Sequence, residues 1–348
     1  MSVTIKTARE IELMRESGRL LEIVHNELGE FIKPGITTLD IDRLGEKLIR
    51  NLGCIPNFLN YNGYPASICV SVNDEVVHGI PNNRRVLQEG DIVSLDAGLI
   101  YKGFHSDAAR TYAVGTVSKE AQQLMDVTKQ SFFEGIKYAK AGYHLNDIST
   151  AIGAYAEKFG YGVVRDLVGH GIGTHLHEDP QIPNFHQRRR GIRLVPGMTL
   201  AIEPMINIGR ADVEWLDDDW TVVTQDGSLS AHYENTVLIT EGEPEILTLT
   251  RSTGEIMREL TKGMLARSKA GHDTGKWYII MDIDGDNLYL ADGEIRTLNR
   301  MKKKKRMHVQ VCYKIPEWFR EQLKNGQQIR DEHIKRAIKE FKNNQQED

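Results

Sequence analysis

Apolar residues recur at helical spacing near the start of the chain, and the pattern predicts two consecutive helices. The first begins at a capping box formed by Thr7 and Glu10, and it ends at Pro34-Gly35. The second begins at Thr37-Thr38. The predicted buried faces consist of Ile11, Met14, Leu21, Val24 and Leu28 in the first helix and Ile41, Leu44 and Leu48 in the second. Two further helices are predicted at about residues 118–140 and 145–159.

Between these helix pairs the pattern changes to that of strands. Residues 67–72 and 75–79 read as strands or loops, and residues 91–99 and 105–114 predict a hairpin that turns near Tyr101-Lys102-Gly103. A symmetric turn at that point would place Asp96 opposite Asp107. After a Gly- and His-rich segment, the chain reads as strands and turns to about Leu249.

The chain contains an internal repeat with an offset of 107 residues. Glycines recur at this spacing as Gly35 and Gly142, Gly53 and Gly160, and Gly90 and Gly197. The segment from Gly90 to Asp96 aligns with the segment from Gly197 to Glu203, so that a carboxylate ends each predicted strand. Each half therefore reads as helix, helix, strand, which indicates a duplicated half-site.

Residues 1–250 are predicted to form one domain, followed by a polar linker at 251–263. Beyond the linker, residues 264–315 predict a small β domain that contains the basic run Lys302 to Arg306. Residues 316–348 predict a basic helical tail, in which Pro316 starts a helix and Asn325-Gly326 ends it. A last amphipathic helix follows, with Ile334, Ala337, Ile338 and Phe341 on one side.

Composition narrows the class of protein. The chain has 348 residues, 40% hydrophobic and 27% charged, which excludes a disordered or collagen-like protein. Its formal charge of −5 divides into −11 over residues 1–257 and +6 over residues 258–348, so two modules with different partners are expected. No membrane span or signal peptide is predicted. The three cysteines contain no Cys-x-x-Cys pair, which fits a cytoplasmic protein without a disulfide scaffold.

Four acids lie inside apolar, strand-like runs, where ionised carboxylates are rarely found unless they are paired or bound to metal. They are Asp96, Asp107, Glu203 and Glu234. Each alone would more often be a turn residue or a salt-bridge partner. Together with His170 they form an oxygen-rich set that suits two divalent ions such as Mn, Fe(II) or Co.

The ordered motifs of residues 1–250 resemble those of the type I methionine aminopeptidases. The motifs are Asn73-Asp74-Glu75-Val76-Val77-His78-Gly79-Ile80-Pro81, Asp96-Ala97-Gly98, Ser106-Asp107, Gly169-His170-Gly171-Ile172-Gly173, Glu203-Pro204-Met205 and Tyr233-Glu234-Asn235-Thr236. The resemblance implies an α/β fold of the "pita-bread" type, in which two pseudo-symmetric halves surround a dinuclear metal site. It implies a metal-dependent enzyme that removes the initiator methionine from nascent proteins when the second residue is small.

The same resemblance implies roles for single residues. Asp96 would chelate one metal, His170 and Glu203 would hold the other, and Asp107 and Glu234 would bridge the pair. Glu203 would also shuttle protons for a metal-activated water, while His78 and His177 would contact the scissile amide. The implied methionine pocket consists of Tyr61, Tyr64, Cys69 and Trp220, with Phe58 and Leu176 near it. Members commonly carry Cys in place of Phe58 and Phe in place of Leu176. The metal identity among Co, Mn, Fe(II) and Zn stays open.

The C-terminal part resembles a KOW-type small barrel of the kind found in ribosomal proteins. The resemblance rests on the glycine spacing around Gly271 and Gly275 and on the run Lys302 to Arg306. It implies contact with ribosomal RNA through lysine and arginine, although a lysine run is usually only a solvated surface. A monomeric enzyme without a membrane partner is expected.

Two other functions stay open on the sequence. A proline-specific peptidase of the same fold usually carries a further domain before the metal site, and only 95 residues precede Asp96 here. A catalytically silent protein of this fold, acting as an RNA- or ribosome-binding factor, would typically have lost metal ligands. The spacings of 33 residues from His170 to Glu203 and of 31 from Glu203 to Glu234 leave little room for the insertion of the type II enzymes.

Overall fold

The computed structural model describes residues 3–249, 262–268, 272–285, 287–305, 308–312 and 316–344. Its contacts divide the chain into two units, Met1–Thr250 and Arg251–Asp348. The predicted linker at 251–263 falls almost entirely outside the described residues. Each unit is therefore described by itself. None of the described helices is long and apolar enough to cross a membrane.

The first unit contains the four helices predicted for it. They are α1 (Ala8–Phe31), α2 (Thr38–Asn51), α3 (Lys119–Ile136) and α4 (Leu145–Glu157). The hydroxyl of Thr7 accepts a hydrogen bond from the backbone N–H of Glu10, while the Glu10 carboxylate accepts one from the backbone N–H of Thr7. The capping box predicted at the start of α1 is thus confirmed.

Fifteen strands are found in the described part of the first unit. They are β1 (Ile55–Pro56), β2 (Ile68–Val72), β3 (Glu75–Val77), β4 (Ile92–Tyr101), β5 (Phe104–Ala113), β6 (Gly162–Val163), β7 (Gly169–Gly171), β8 (Glu178–Ile182), β9 (Thr199–Ile202), β10 (Met205–Asn207), β11 (Val213–Trp215), β12 (Val222–Thr224), β13 (Ser230–His232), β14 (Asn235–Leu238) and β15 (Glu245–Ile246). In the first sheet, β4 pairs with β1, β2 and β5. A second sheet has the strand order β15-β14-β9-β7-β8. Both are antiparallel and covered by helices on a buried apolar face.

The predicted β4–β5 hairpin forms, but its register differs from the prediction. Tyr101 pairs with Phe104, so the turn lies one residue further along the chain than predicted. Asp107 is opposite Gly98, and Asp96 is opposite Ala109. The two aspartates, predicted to lie roughly opposite each other, are therefore diagonal neighbours on adjacent strands. The shift in partner is two residues, an even number, so both side chains stay on one face of the sheet.

The 107-residue repeat is a repeat of backbone structure. The isolated bridge between Thr37 and Val86 recurs between His144 and Arg193. The N–H of Gly35 donates to the Leu87 carbonyl at 2.9 Å, and the N–H of Gly142 donates to the Leu194 carbonyl at 3.1 Å. These two glycines have φ values of 91° and 90°, a conformation that favours glycine. The buried core repeats as well, since Ile41 and Val93 of the first half correspond to Ile148 and Leu200 of the second.

The second unit combines one antiparallel sheet with two helices. Its strands are β16 (Leu265–Ser268), β17 (Trp277–Asp284), β18 (Asn287–Ala291), β19 (Lys302–Lys305) and β20 (Val309–Cys312), and its helices are α5 (Glu317–Lys324) and α6 (Asp331–Asn344). The strand order is β19-β18-β17-β16-β20. Phe319 of α5 and Ile334 of α6 are fully buried against the sheet residues Leu265 and Ile279. Both predicted C-terminal helices are present, while closure of the sheet into a barrel stays a prediction.

Candidate metal centre and adjoining pocket

The first half of the unit supplies two aspartates from the hairpin. Asp96 lies on β4 and Asp107 on β5, both inside the sheet. A Cβ atom at Gly98, opposite Asp107, would lie 2.9 Å from the Asp107 Oδ1 atom and 2.2 Å from Asn57 Nδ2. Such distances are shorter than real Cβ contacts. Glycine at this position therefore leaves the space that the Asp107 carboxylate occupies.

The second half supplies two glutamates and a histidine. Glu203 follows β9, Glu234 precedes β14, and His170 lies on β7. The halves meet through backbone bonds between Ala109 and Glu234, with N···O distances of 2.9 and 3.4 Å. These bonds bring Glu234 to the hairpin strand that carries Asp107. The guanidinium of Arg110 reinforces the junction by donating to the carbonyl oxygen of Glu234 and, at 2.6 Å, to the side-chain oxygen of Asn235.

The imidazole of His170 lies between the acids of the two halves. Its Nε2 atom is 3.9 Å from Asp107 Oδ2 and 3.7 Å from Glu203 Oε1. Its Nδ1 atom lies 2.8 Å from the carbonyl oxygen of Gly171 and donates to it. That hydrogen bond fixes the tautomer in which Nε2 carries a lone pair. The lone pair points to the acids, as a metal ligand requires.

Burial and mutual repulsion raise the pKa of all four carboxyl groups. Burial raises the pKa of Glu203 to about 8 and, together with the nearby Glu203, that of Asp96 to about 7. Burial, then Asp96 and Glu203, raise the pKa of Asp107 well above its usual range. Burial, then Asp107 and Glu203, do the same for Glu234. Four acids in one buried cluster repel one another unless cations or protons lie between them.

The unused hydrogen-bonding atoms show what fits between these acids. Asp96 Oδ1, Asp107 Oδ1 and Glu234 Oε1 are buried and have no hydrogen-bond partner among the described residues. The ligand atoms of Asp107, His170 and Glu234 all lie within 4.8 Å of one another. Carboxylate oxygens and an imidazole nitrogen at such separations match the donor set of divalent metals. The residues present therefore fit the metal ions expected from the sequence.

Two further predicted residues, His78 and His177, lie beside the cluster. The rings of His170 and His177 have centroids 4.3 Å apart. The Tyr61 hydroxyl is 2.8 Å from His177 Nδ1. His78 has a φ of 60°, uncommon for a residue with a side chain, and this conformation is of the strained kind found at functional sites. Burial lowers the pKa of His78 to about 4, and desolvation lowers that of His177, so both rings are neutral near pH 7.

The six residues predicted for the methionine pocket belong to one apolar cluster in the structure. Its buried members include Phe58, Tyr64, Cys69 and Leu176, and Tyr61 and Trp220 pack against them. The ring of Tyr64 meets that of Trp220 edge-on at 5.1 Å, and its hydroxyl donates to the Gly79 carbonyl at 2.9 Å. The cluster is thus aromatic and apolar, and the hydroxyls of Tyr61 and Tyr64 both have hydrogen-bond partners.

Two features of this region were missed from the sequence. His232 has its imidazole 3.5 Å from Glu203 and is only 1% exposed. Its position two residues before Glu234 could have indicated it, because alternate residues of an extended run share a face. The second feature is the buried ion pair between Lys6 and Glu178, 2.6 Å apart, next to His177. Nothing in the local sequence around Lys6 signals a partner so distant in the chain.

Comparisons with known proteins agree with this geometry. Residues 12–241 match the model of metallopeptidase family M24. A methionine aminopeptidase of Clostridium acetobutylicum is 56% identical over 247 residues, covering 71% of this chain and 99% of that protein. A methionine aminopeptidase of Escherichia coli is 39% identical over 252 residues, covering 72% of this chain and 96% of that protein.

The solved structures of a methionine aminopeptidase and of an Xaa-Pro dipeptidase differ in their similarity to this chain. The crystal structure of methionine aminopeptidase from Thermotoga maritima is similar with a TM-score of 0.70 and 45% identity, covering 72% of this chain and all of that one. The Xaa-Pro dipeptidase from Bacillus anthracis is less similar, with a TM-score of 0.59 and 25% identity, and only 63% of its chain is covered.

Proposed function

This chain belongs to metallopeptidase family M24, in which its relatives are methionine aminopeptidases, and from that premise we propose that it removes the N-terminal methionine from nascent proteins whose second residue is small. The pita-bread fold expected from the sequence is confirmed by the family match and the solved relatives. The enzyme is a metallo-exopeptidase that depends on divalent metal ions.

The observation that carries the proposal is the adjacency of the apolar pocket and the acid cluster. Cys69 of the pocket, on β2, pairs directly with Asp96 of the cluster, on β4. Tyr61 touches both regions, since it packs against the pocket and its hydroxyl contacts His177. A side chain of methionine, apolar and flexible, suits such walls. A peptide with this side chain in the pocket would bring its first peptide bond to the acids.

The proposed metal ligands are the five residues predicted for that role. Asp96 would hold one ion, His170 and Glu203 the other, and Asp107 and Glu234 would bridge both. Bound divalent ions would polarise the scissile carbonyl and lower the pKa of a water molecule to make it a nucleophile. The protein holds the ligands on opposite halves of the repeat, which fixes their separation.

The proposed proton transfers use side chains at the rim of the cluster. Glu203 lies within 3.7 Å of His170 and 3.5 Å of His232, and the Asn184 side chain donates to its backbone carbonyl at 3.0 Å. A carboxylate held this way is placed to accept a proton from the attacking water and to deliver it to the departing amine.

The two auxiliary histidines would act as neutral hydrogen-bond donors to the scissile amide. The pKa of Tyr61 is raised by burial and by Asp107, so its hydroxyl keeps its proton and donates to Nδ1 of His177. The proton of the His177 ring then stays on Nε2, which can donate to a substrate. His78 would provide the second donor, and together they stabilise the oxyanion that forms during attack.

Release of methionine from short peptides tests the proposal. Met-Gly-Met-Met and Met-Pro-type peptides are incubated with the metal-stripped full chain, with and without added Mn²⁺ or Co²⁺. We expect metal-dependent release of free methionine from both. The Asp107→Asn variant should lose more than about a hundredfold in rate, since even indirect metal partners contribute that much. Asp126→Asn, the same change at an exposed position on α3, is the matched control.

The same assay separates the rival functions. A proline-specific peptidase would cleave Xaa-Pro peptides whatever the first residue, so an Ala-Pro peptide is included. Release of alanine at the rate of methionine would overturn the substrate assignment. No release with any metal would overturn the enzyme assignment and favour a silent binding protein.

We also propose, for the second unit, contact with ribosomal RNA through a KOW-like surface. The lysines of strand β19 alternate in direction. The ammonium groups of Lys302 and Lys304 bond to the Asp273 carboxylate at 2.8 and 2.9 Å. Lys303 and Lys305 are exposed, and the Lys303 ammonium lies 5.6 Å from the centre of the Tyr289 ring. Two of the four lysines of β19 thus bond to Asp273, and the other two form the surface that supports the proposal. Lysines beside an aromatic ring suit phosphate contact and base stacking.

Co-sedimentation with ribosomes tests this contact. We compare the full chain with a Lys303→Glu/Lys305→Glu variant and with Lys339→Glu/Lys342→Glu on α6, which changes charge equally at other exposed positions. The proposal predicts that only the β19 variant loses binding and that binding weakens with salt. Equal sedimentation of all three proteins would count against it.

A further inference from the structure

His232 is a buried polar side chain at the metal centre that the predicted ligand set leaves without a role. It lies on β13, where Met205 of β10 is its paired residue, and it is 1% exposed. Its backbone is fully satisfied, because its N–H donates to the Thr111 hydroxyl at 2.9 Å and its carbonyl accepts from the same hydroxyl at 2.9 Å. The strand is therefore fixed, and the ring is held in place by it.

The imidazole itself is unsatisfied. Neither Nδ1 nor Nε2 of His232 has a hydrogen-bond partner among the described residues. A buried polar atom left without a partner costs about 1–3 kcal/mol. A ring with two such atoms, enclosed at a cluster of acids, indicates that something else binds there.

The ring is aimed at carboxylates. Its Nε2 atom lies 3.5 Å from Glu203 Oε2, longer than a good hydrogen bond. The ligand atoms of Glu203, His232 and Glu234 all lie within 4.8 Å of one another. This triad shares Glu234 with the triad of Asp107, His170 and Glu234. The two triads therefore join into one centre with an imidazole on each side of a shared carboxylate.

From these contacts we infer that His232 is an additional metal ligand, which binds through Nε2 together with Glu203 and Glu234. This inference rests on the metal site of the proposed function. The centre then carries two imidazoles rather than one. Nitrogen ligands shift preference from Mn²⁺ towards Co²⁺ and Zn²⁺, so His232 would tune which metal the enzyme holds.

Metal titrations of the full chain test the inference without measuring activity. Isothermal titration calorimetry with Zn²⁺, Co²⁺ and Mn²⁺ is performed on metal-stripped wild type, His232→Gln and His25→Gln. His25 is a matched buried histidine whose Nε2 lies 2.8 Å from the Ala108 carbonyl. We expect His232→Gln to weaken Zn²⁺ and Co²⁺ binding by about 10- to 100-fold. Mn²⁺ binding should change less, and His25→Gln should match the wild type.

The number of bound imidazoles gives a second readout. Each histidine bound to high-spin Co²⁺ contributes a strongly shifted, exchangeable N–H signal in the proton NMR spectrum. Wild type should show two such signals, and His232→Gln should show one. His170→Gln should also retain one signal, which disappears in the His170→Gln/His232→Gln double variant. The signal counts of the wild type and of His170→Gln keep the test decisive if His232→Gln does not fold.

Unchanged affinities together with a single imidazole signal in wild type would overturn the inference. Its failure is distinguishable from failure of the proposed function. Loss of methionine release with two imidazole signals retained would refute the aminopeptidase proposal and leave His232 as a ligand. Methionine release together with a single imidazole signal would support the aminopeptidase proposal and refute His232 as a ligand.

Discussion

The two units of this chain contain buried acids whose pKa values are shifted in opposite directions. In the first unit, Asp107 and Glu234 lie in a cluster of carboxylates, and repulsion and burial raise their pKa values. In the second unit burial opposes ionisation of Asp273, but hydrogen bonds from Lys302, Lys304 and Tyr278 outweigh it and hold its pKa well below its usual range. In the first arrangement the Arg110 guanidinium bonds to the backbone carbonyl of Glu234, whereas in the second two lysine ammonium groups bond directly to the carboxylate.

This difference in pKa direction distinguishes acids that would bind a metal ion from an acid that stabilises the fold through ion pairs. Glu178 shows that the first unit is able to compensate a buried acid, since Lys6 lies 2.6 Å away and both side chains are about 5% exposed. Burial would raise the pKa of Glu178, yet the hydrogen bonds from Lys6 and Thr4 lower it. An uncompensated cluster next to a compensated pair is therefore a local property of the metal centre. Four predictions test this comparison, in order of decreasing effect.

The largest effect is expected from breaking the compensated pair. Lys6→Met leaves the Glu178 carboxylate buried without its cation, and we expect a loss of about 3–5 kcal/mol in the free energy of unfolding. The Lys6→Met/Glu178→Gln double variant should recover most of it, because no buried charge remains. Urea denaturation at pH 7 measures both. Equal losses in the single and double variants would show that packing, rather than charge, decides the result.

Divalent metal should stabilise the uncompensated cluster by a similar amount. At a free metal concentration of 100 times Kd, binding to the folded state alone contributes about 2.7 kcal/mol. Calorimetric unfolding with and without a chelator checks this. The transition of the second unit, followed by hydrogen exchange of the β17 amides, should not move. A metal effect on both transitions would mean that the acids are not the binding site.

Removing one acid from the cluster should stabilise the metal-free protein. Asp107→Asn keeps the side-chain shape and replaces an acid whose pKa is raised on folding by burial and by Asp96, so we expect a gain of roughly 1–3 kcal/mol at pH 7 with chelator present. The same variant should lose the stabilisation by metal. Thermal unfolding should therefore show a variant that is more stable than the wild type with chelator and less stable than the wild type with metal. A destabilised metal-free variant would contradict the reading of Asp107 as uncompensated.

The smallest effect concerns Asp273. Asp273→Asn removes the partner of Lys302 and Lys304, and we expect a loss of about 1 kcal/mol at pH 7. Because the folded-state pKa is depressed, this contribution is present above the ordinary pKa of 3.8 and is lost as pH falls through the lower folded-state pKa. The difference between wild type and variant should thus stay constant from pH 7 to 5 and shrink below about pH 4. Hydrogen exchange of the β16 amides follows it.

Much of the fold was predictable because its determinants are local. The start of α1 follows from Thr7 and Glu10, and the repeat follows from glycines whose positive φ angles recur at one spacing. Four of the five predicted metal ligands are acids in strand-like runs, an unusual pattern that needs no partner to be noticed, and His170 completes the predicted set. The register of the hairpin was not predictable in this way, because the turn lies one residue further along the chain than predicted, which changes the paired residues.

The family, the repeat, the helices and the buried acids can all be recognised in the amino-acid sequence, because each depends on neighbouring residues or on a fixed spacing. Which of the acids have a cation bonded to them depends on the folded chain. Lys6 meets Glu178 from 172 residues away, and His232 meets Glu203 across two strands. The balance of charge in a buried site depends on which side chains the fold brings within a few ångströms, and local sequence carries no record of that.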